Sequence, residues 1–131
     1  KLLSYANSSE IPISTNMPNF LSLSDSGFAV CRLPKLFLVA DLGQAGASYI
    51  PGHAHADTLS FELSAFGKRL IVNSGISTYE NNSTRMSQRS TKSHNTVVYQ
   101  NKNSSEVWSS FRLGQRAETK VEYIKCYEGY E

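Results

Sequence analysis

Two histidines and an aspartate occupy alternate positions in this chain, at His53, His55 and Asp57, directly before a strand-like run. Because side chains two residues apart point to the same face of an extended backbone, the three groups are expected to converge. Imidazole rings in such a cluster serve as metal ligands or as proton carriers. A solvated, polar strand end would give the same spacing, so further residues are needed to decide.

A third histidine and a polar strand end extend this cluster. His94 opens a later apolar run, and Asn73 ends the apolar strand predicted to pair with the strand after His55. Antiparallel pairing brings His55 and Asn73 to the same end of a sheet, where His94 could join them. Two imidazoles, an oxygen donor and a water satisfy tetrahedral zinc, so His55, Asn73 and His94 are predicted metal ligands. Asp57 could act as a ligand instead of Asn73, or it could orient an imidazole ring. The alternative to a metal site is that these groups only form hydrogen bonds that orient the loops.

Basic and aromatic side chains are frequent in the polar stretch from residue 74 to residue 93. Guanidinium groups clamp carboxylates and sulfates through paired hydrogen bonds, which predicts that Arg85 and Arg89 bind an anionic substrate. The hydroxyl of Tyr79 can pass a proton and makes this residue a candidate catalytic group. Lys92 and Arg112 are also expected around the cluster. Trp108 is expected to pack in the core.

The elements that must position these residues are predicted to be strands. Apolar and polar residues alternate in several short segments separated by turn residues, and no stretch has the apolar period of a helix of ordinary length. The predicted strands cover residues 27–32, 35–41, 58–64, 70–73, 95–99, 107–112 and 117–126, with tight turns near Pro34 and at residues 66–69. The sequence therefore predicts an all-β, antiparallel β-sandwich over residues 25–131, preceded by a linker or edge segment over residues 1–24.

Composition excludes some classes of protein. The 131 residues carry a net charge of +2 and show no basic patch, so nucleic-acid binding is not expected. No apolar run is long enough to span a membrane, and no signal peptide is visible. Because the chain starts at Lys1 and stops at Glu131 without a closing element, we expect an incomplete domain from a longer protein.

The two cysteines, Cys31 and Cys126, match no metal-binding or redox spacing. Both fall in strand-like runs, where a free cysteine behaves as a small buried hydrophobic residue. A disulfide between them is the alternative.

Three ordered motifs resemble the heparinase II/III family of polysaccharide lyases. They are HAHADTLSF at residues 53–61, LIVNSG at residues 70–75 leading to Tyr79, and RSTKSHNTV at residues 89–97. The resemblance covers roughly residues 53–112. Family members similar in VNSG at residues 72–75 and NSSEVW at residues 103–108 tend to accompany bacterial surface-polysaccharide gene clusters.

The resemblance implies a larger protein, in which an N-terminal α-helical toroid joins a C-terminal antiparallel β-sandwich. Acidic polysaccharide lies in the cleft between the two domains, and glycans containing uronic acid are cleaved by β-elimination. This chain would then be the sandwich domain, incomplete and inactive alone, with periplasmic or secreted localisation.

The resemblance also implies residue roles. His53 corresponds to the histidine that faces the substrate and transfers or positions a proton, while His55 and His94 correspond to ligands of a supporting zinc ion. The third ligand in many members is an aspartate at the position of Asn73, where this chain departs from the family. The main catalytic tyrosine, and the Asn or His that neutralises the substrate carboxylate, lie in the helical domain.

Two other functions remain open at this point. The first is a non-catalytic module of a polysaccharide locus that binds or assembles glycans. Asn73 in place of aspartate favours it. A cupin-like metal-dependent oxygenase or isomerase is the second, because two alternate histidines on a strand also suit that fold. The downstream carboxylate and histidine of a cupin do not fall in place.

Overall fold

The computed structural model describes residues 18–124, in which a five-stranded antiparallel sheet is the main element. Its strands follow one another in chain order across the sheet. They are β1 (Phe20–Leu23), β2 (Phe28–Leu33), β3 (Leu36–Asp41), β4 (Phe61–Ala65) and β5 (Lys68–Ile71). A short helix α1 (Ser83–Gln88), a single 3₁₀ turn (Thr91–Ser93) and a hairpin of β6 (Val107–Ser109) and β7 (Arg112–Leu113) follow.

The predicted hairpin of β2 and β3 is confirmed. Both strands are rich in β-branched and aromatic residues, and Pro34 follows the last residue of β2. Leu33 pairs with Leu36, so only Pro34 and Lys35 form the turn. The pairing continues to Phe28 and Asp41 at the far end, which delivers the chain to the loop carrying His53.

The hairpin of β4 and β5 is also confirmed, with a shift in both strands, because β5 covers Lys68–Ile71 where residues 70–73 were predicted and Asn73 lies beyond its end. Phe66 and Gly67 form a two-residue turn with φ of 53° and 73°, the conformation that joins tightly twisted strands. Strand β4 starts at Phe61, three residues later than expected, because Leu59 has φ of 64° and does not continue an extended chain. Leu59 is therefore exposed rather than aligned with Phe61 and Leu63 on one face.

Two predicted strands are wrong within the described residues. Residues 95–98 form no ladder, and Tyr99 makes only an isolated bridge to Lys102. Residues 117–124 have no regular structure either. Alternation alone suggested strands in both places, but a strand also needs a partner edge, and neither segment pairs with one.

The polar stretch 74–93, predicted without regular structure, contains the short helix and the 3₁₀ turn. Asn82 begins α1 because its side-chain oxygen accepts the backbone N–H of Arg85 at 2.9 Å. Six residues give no apolar period, which is why pattern analysis missed this helix.

The all-β class and the antiparallel sandwich fragment are confirmed, and the hydrophobic core within the described residues is small. The buried apolar residues are all alanines, at positions 29, 45, 56 and 65. No helix of residues 18–124 has both the length and the apolar character needed to cross a membrane. Cys31 is a half-buried free thiol, and Cys126 lies outside the described residues.

Candidate functional site

The segment between β3 and β4, residues 42–60, carries His53 and His55 and is here called the histidine loop. Residues that follow α1 hold it in place through hydrogen bonds. The backbone N–H of Ala56 donates to the carbonyl of Arg89 at 3.0 Å, and the hydroxyl of Thr91 donates to the carbonyl of Ala56 at 2.7 Å. Ala56 and Thr91 are fully buried. These hydrogen bonds fix the backbone of Ala56. They thereby also fix its two neighbours in the chain, His55 and Asp57.

His55, Asp57 and His94 form a cluster whose potential ligand atoms all lie within 4.8 Å of one another. Nδ1 of His55 is 3.3 Å from Nε2 of His94. This distance is long for a hydrogen bond, but two nitrogens each bound to zinc at about 2.0–2.1 Å in a tetrahedron lie roughly 3.3–3.4 Å apart. The donor types and the spacing therefore fit a zinc ion.

Burial favours the neutral form of both imidazoles. It lowers the pKa of His55 to about 4, with the nearby Asp57 carboxylate opposing the shift and the charges of His94 and Arg85 adding to it. Burial also lowers the pKa of His94, against the opposing influence of Asp57 and the Gln88 backbone. Nδ1 of His94 is buried without a well-formed hydrogen bond. Because metals bind the neutral imidazole, the protonation state suits ligation near neutral pH.

Asn73 lies beside this cluster but is committed to a turn. Its side-chain oxygen accepts the backbone N–H of Gly75 at 3.2 Å. The next residue, Ser74, donates its hydroxyl to the carbonyl of Ser93 at 3.0 Å, which places the loop next to His94. Asp57 is the carboxylate that lies with the two histidines, as considered in the sequence analysis, and the ligand role of Asn73 stays a prediction.

His53 points to a different surface, where it contacts two aromatic rings. Its ring meets Tyr79 edge-to-face at 5.9 Å between centroids and Phe111 at 5.6 Å. Tyr79 and Phe111 stack with an interplanar angle of 17°. The three rings line a groove of about 590 Å³ that Arg112 also borders. The structure therefore brings together the two residues predicted to be catalytic, His53 and Tyr79.

Arg85 and Arg89 are fully buried, which does not suit the predicted role of binding an anionic substrate. Arg89 donates to the carbonyls of Ala54, Ser109 and Arg112. Its guanidinium group is fully engaged in hydrogen bonds to backbone oxygens. These bonds join the histidine loop to the β6–β7 hairpin.

Arg85 lies between the histidine cluster and the aromatic groove. Its Nη1 is 3.4 Å from Nε2 of His55, and its Nε donates to the carbonyl of Ser110 at 3.4 Å. The guanidinium carbon is 5.1 Å from the ring centroid of Tyr79 and 5.8 Å from that of Phe111. Nη2 is buried without a partner. Arg85 was predicted to bind an anionic substrate; the structure places it buried behind the groove wall, and the binding role stays a prediction.

Residues of the β6–β7 hairpin complete the groove. Phe111 was not predicted as a site residue, although an aromatic residue in the predicted 107–112 segment was a visible sign. Trp108, expected in the core, is instead 59% exposed, because side chains alternate along β6 and this one points to solvent. Lys92 is exposed.

Comparison with known families finds one match that covers most of the chain. The model of the family described as heparinase II/III-like, C-terminal, matches residues 15–130. Neither the curated proteins nor the solved structures contain a match to this chain. The match includes the histidine cluster, the aromatic groove and every strand described above. The chain belongs to the heparinase II/III-like C-terminal family.

Proposed function

We propose that this chain supplies the sandwich side of the active site of a polysaccharide lyase that cleaves uronic-acid-containing glycans by β-elimination. The observation that carries the proposal is the contact of His53 with Tyr79 in the wall of an open groove. We further propose a bacterial surface polysaccharide as the substrate and the periplasm or the cell exterior as the location.

β-Elimination at a uronic acid requires one group to remove the proton at C5 and one to protonate the departing oxygen at C4. An imidazole and a phenol are both competent proton carriers, and the ring centroids of His53 and Tyr79 are 5.9 Å apart. One sugar ring in the groove could contact both. His53 transfers or positions a proton, and Tyr79 is the second candidate. The main catalytic tyrosine and the group that neutralises the carboxylate come from the N-terminal helical domain of the same protein.

Zinc is the proposed cofactor, held by His55 and His94 with Asp57 as the oxygen donor. The ion would supply a fixed positive charge and would tie together segments that are distant in sequence. His53 is two residues from His55, so fixing the ring of His55 also fixes the backbone that carries His53.

Substitution of His53 in the intact protein tests this function. His53→Ala should lower turnover by about 10²–10⁴-fold, because a positioned proton carrier contributes that much. Turnover is followed through the ultraviolet absorbance of the unsaturated uronate product on a panel of uronic-acid polysaccharides. The exposed ring of Tyr99, outside the groove, provides a matched control through Tyr99→Ala.

Unchanged turnover in His53→Ala with an unchanged melting temperature would exclude the proposed role. Binding of an acidic glycan without any product, by the unaltered protein, would favour the alternative of a non-catalytic glycan-binding module. The presence of Asn73 where many family members have aspartate is the observation that supports this alternative.

A further inference from the structure

The groove next to His53 has no acidic residue in its wall. None of its nine lining residues is Asp or Glu, whereas Arg112 contributes a guanidinium group with its positive charge. The groove is therefore chemically suited to an anion, and the burial of Arg85 and Arg89 leaves Arg112 as its solvent-facing guanidinium group among the described residues.

The side chain of Arg112 is free to bind a ligand. It is exposed, and between residues 18 and 124 the structure records no hydrogen bond or ion pair to its guanidinium group. Its backbone is fixed, because the carbonyl of Arg112 accepts a hydrogen bond from the buried Arg89 at 3.3 Å. An anchored backbone with an unpaired guanidinium group at the edge of a groove is a suitable arrangement for recognising a carboxylate or a sulfate.

A second positive charge lies behind the aromatic wall. The guanidinium carbon of Arg85 is 5.1 Å from the ring centroid of Tyr79, on the buried side of the groove. Since a buried charge is poorly screened by solvent, it adds to the positive potential that an anion in the groove experiences.

The opposite charge pattern occurs in another cavity of the described residues. A cavity of about 690 Å³ at the β1–β2 turn is lined by two carboxylates, Asp25 and Asp41, and by no basic residue. The described surface thus contains concave regions of both signs, and a third one, of about 640 Å³ at the β2–β3 turn, is also basic, since it is lined by Arg32 and Lys35 and by no acidic residue.

We propose that Arg112 recognises the anionic substituent of an acidic oligosaccharide bound in this groove, with a sugar ring packed on Phe111. The inference rests on the proposed function and deepens it, because it assigns the preference for charged over neutral glycans to one residue. The shared chemistry is a planar or tetrahedral oxyanion, which a uronate carboxylate and a sulfate ester both provide.

Calorimetric titration of the intact protein tests this assignment without requiring turnover. The probes are an unsulfated oligouronate, its carboxyl-reduced neutral counterpart, and the same neutral oligosaccharide carrying sulfate esters. The unaltered protein should bind the oligouronate at least about tenfold more tightly than the neutral probe, since a charge-assisted contact is lost with the carboxylate. The sulfated probe shows whether sulfate replaces carboxylate at the same residue.

Arg112→Ala should abolish the preference for the charged probe, and Arg112→Lys should retain only part of it because the paired hydrogen bonds are lost. Arg32→Ala is the matched control. Arg32 is also exposed and lies over an aromatic ring, 5.1 Å from the centroid of Phe37, but it is outside the groove. This variant removes the same charge and should keep the preference.

An Arg112→Ala protein that still prefers the charged probe would overturn the inference, and so would an unaltered protein that binds charged and neutral probes equally or not at all. Product formation is read separately on the same samples. Loss of preference in Arg112→Ala without any product would support the recognition role while refuting the lyase, so the two failures are distinguishable.

Discussion

His55 belongs to the alternating motif of His53, His55 and Asp57, and burial lowers its pKa to about 4. Its pairing with Asp57 was predictable, because alternate residues of an extended chain share a face. Its neighbour Arg85 was predicted to bind an anionic substrate, and the structure places it beside His55 and fully buried. The burial of that arginine depends on the β6–β7 hairpin, about 25 residues further along the chain. The carbonyl of Ser110 in this hairpin accepts a hydrogen bond from Nε of Arg85. Contacts of that kind are set by tertiary packing and not by local pattern.

The acidity of His55 predicts how stability changes with pH. The folded chain protonates His55 only near pH 4, whereas the unfolded chain does so near the ordinary value of 6.5. Between these values the unfolded state binds more protons, so stability is fully present above about pH 6.5 and falls as the pH drops to about 4. The shift of His94 has the same direction and adds to the effect.

Thermal melting across this pH window checks the prediction, with a chelator present so that loss of a metal does not contribute. The melting temperature should fall steadily on acidification, and His55→Gln should flatten the curve by removing one of the titrating groups. A melting temperature independent of pH in the unaltered protein would contradict the burial of a neutral imidazole.

Turns show where element prediction works and where it does not. The β4–β5 hairpin was predictable because turn residues stand between an alternating run and an apolar run, although the predicted turn extended to residue 69 and the actual one ends at Gly67. The helix α1 was not, because six residues are too few for a period. The predicted strand after His94 failed for a further reason. Val97 and Tyr99 have strong β propensity, yet they are 78% and 72% exposed and pair with no strand in the described part of the chain.

Two glycines in turns allow the cost of backbone strain to be compared with the cost of a steric clash. Gly27 and Gly67 have φ of 77° and 73°, so alanine at either position incurs about 1–2 kcal/mol for the left-handed conformation. A Cβ at Gly67 would meet nothing within 4 Å, whereas one at Gly27 would lie 2.7 Å from the backbone nitrogen of Gly43.

Gly67→Ala should therefore destabilise by about 1–2 kcal/mol, and Gly27→Ala by about 3 kcal/mol or more, because the β1–β2 turn must move away from the loop after β3. Chemical denaturation of both variants gives the comparison. Equal losses in the two variants would mean that the turn of β1 and β2 does not pack against Gly43 as described.

Across the whole of the described chain, residues 18–124, many large apolar side chains are exposed. The buried apolar residues of this part are four alanines, while Leu70, Phe66 and Leu33 are 60%, 76% and 45% exposed. Alternation in the sequence predicted the strands from β2 to β4 and hence the all-β class, but it also predicted strands after His94 and after residue 116 that the described residues do not form. It could not predict which faces are covered, because alternation shows that a strand has an apolar side and not what packs against that side.

This exposure predicts the behaviour of the 131-residue chain when it is produced alone. Apolar patches of this extent bind hydrophobic dyes, so the isolated chain should enhance the fluorescence of anilinonaphthalene sulfonate under native conditions. Leu70 lies on the edge strand β5, and Leu70→Glu should reduce the fluorescence without lowering the melting temperature, because a side chain that is 60% exposed contributes little packing. The buried Ala65→Glu is the opposite control and should unfold the sheet, since it places a charge between packed strands. A cooperative melt with no dye binding in the isolated chain would mean that these side chains are covered in solution.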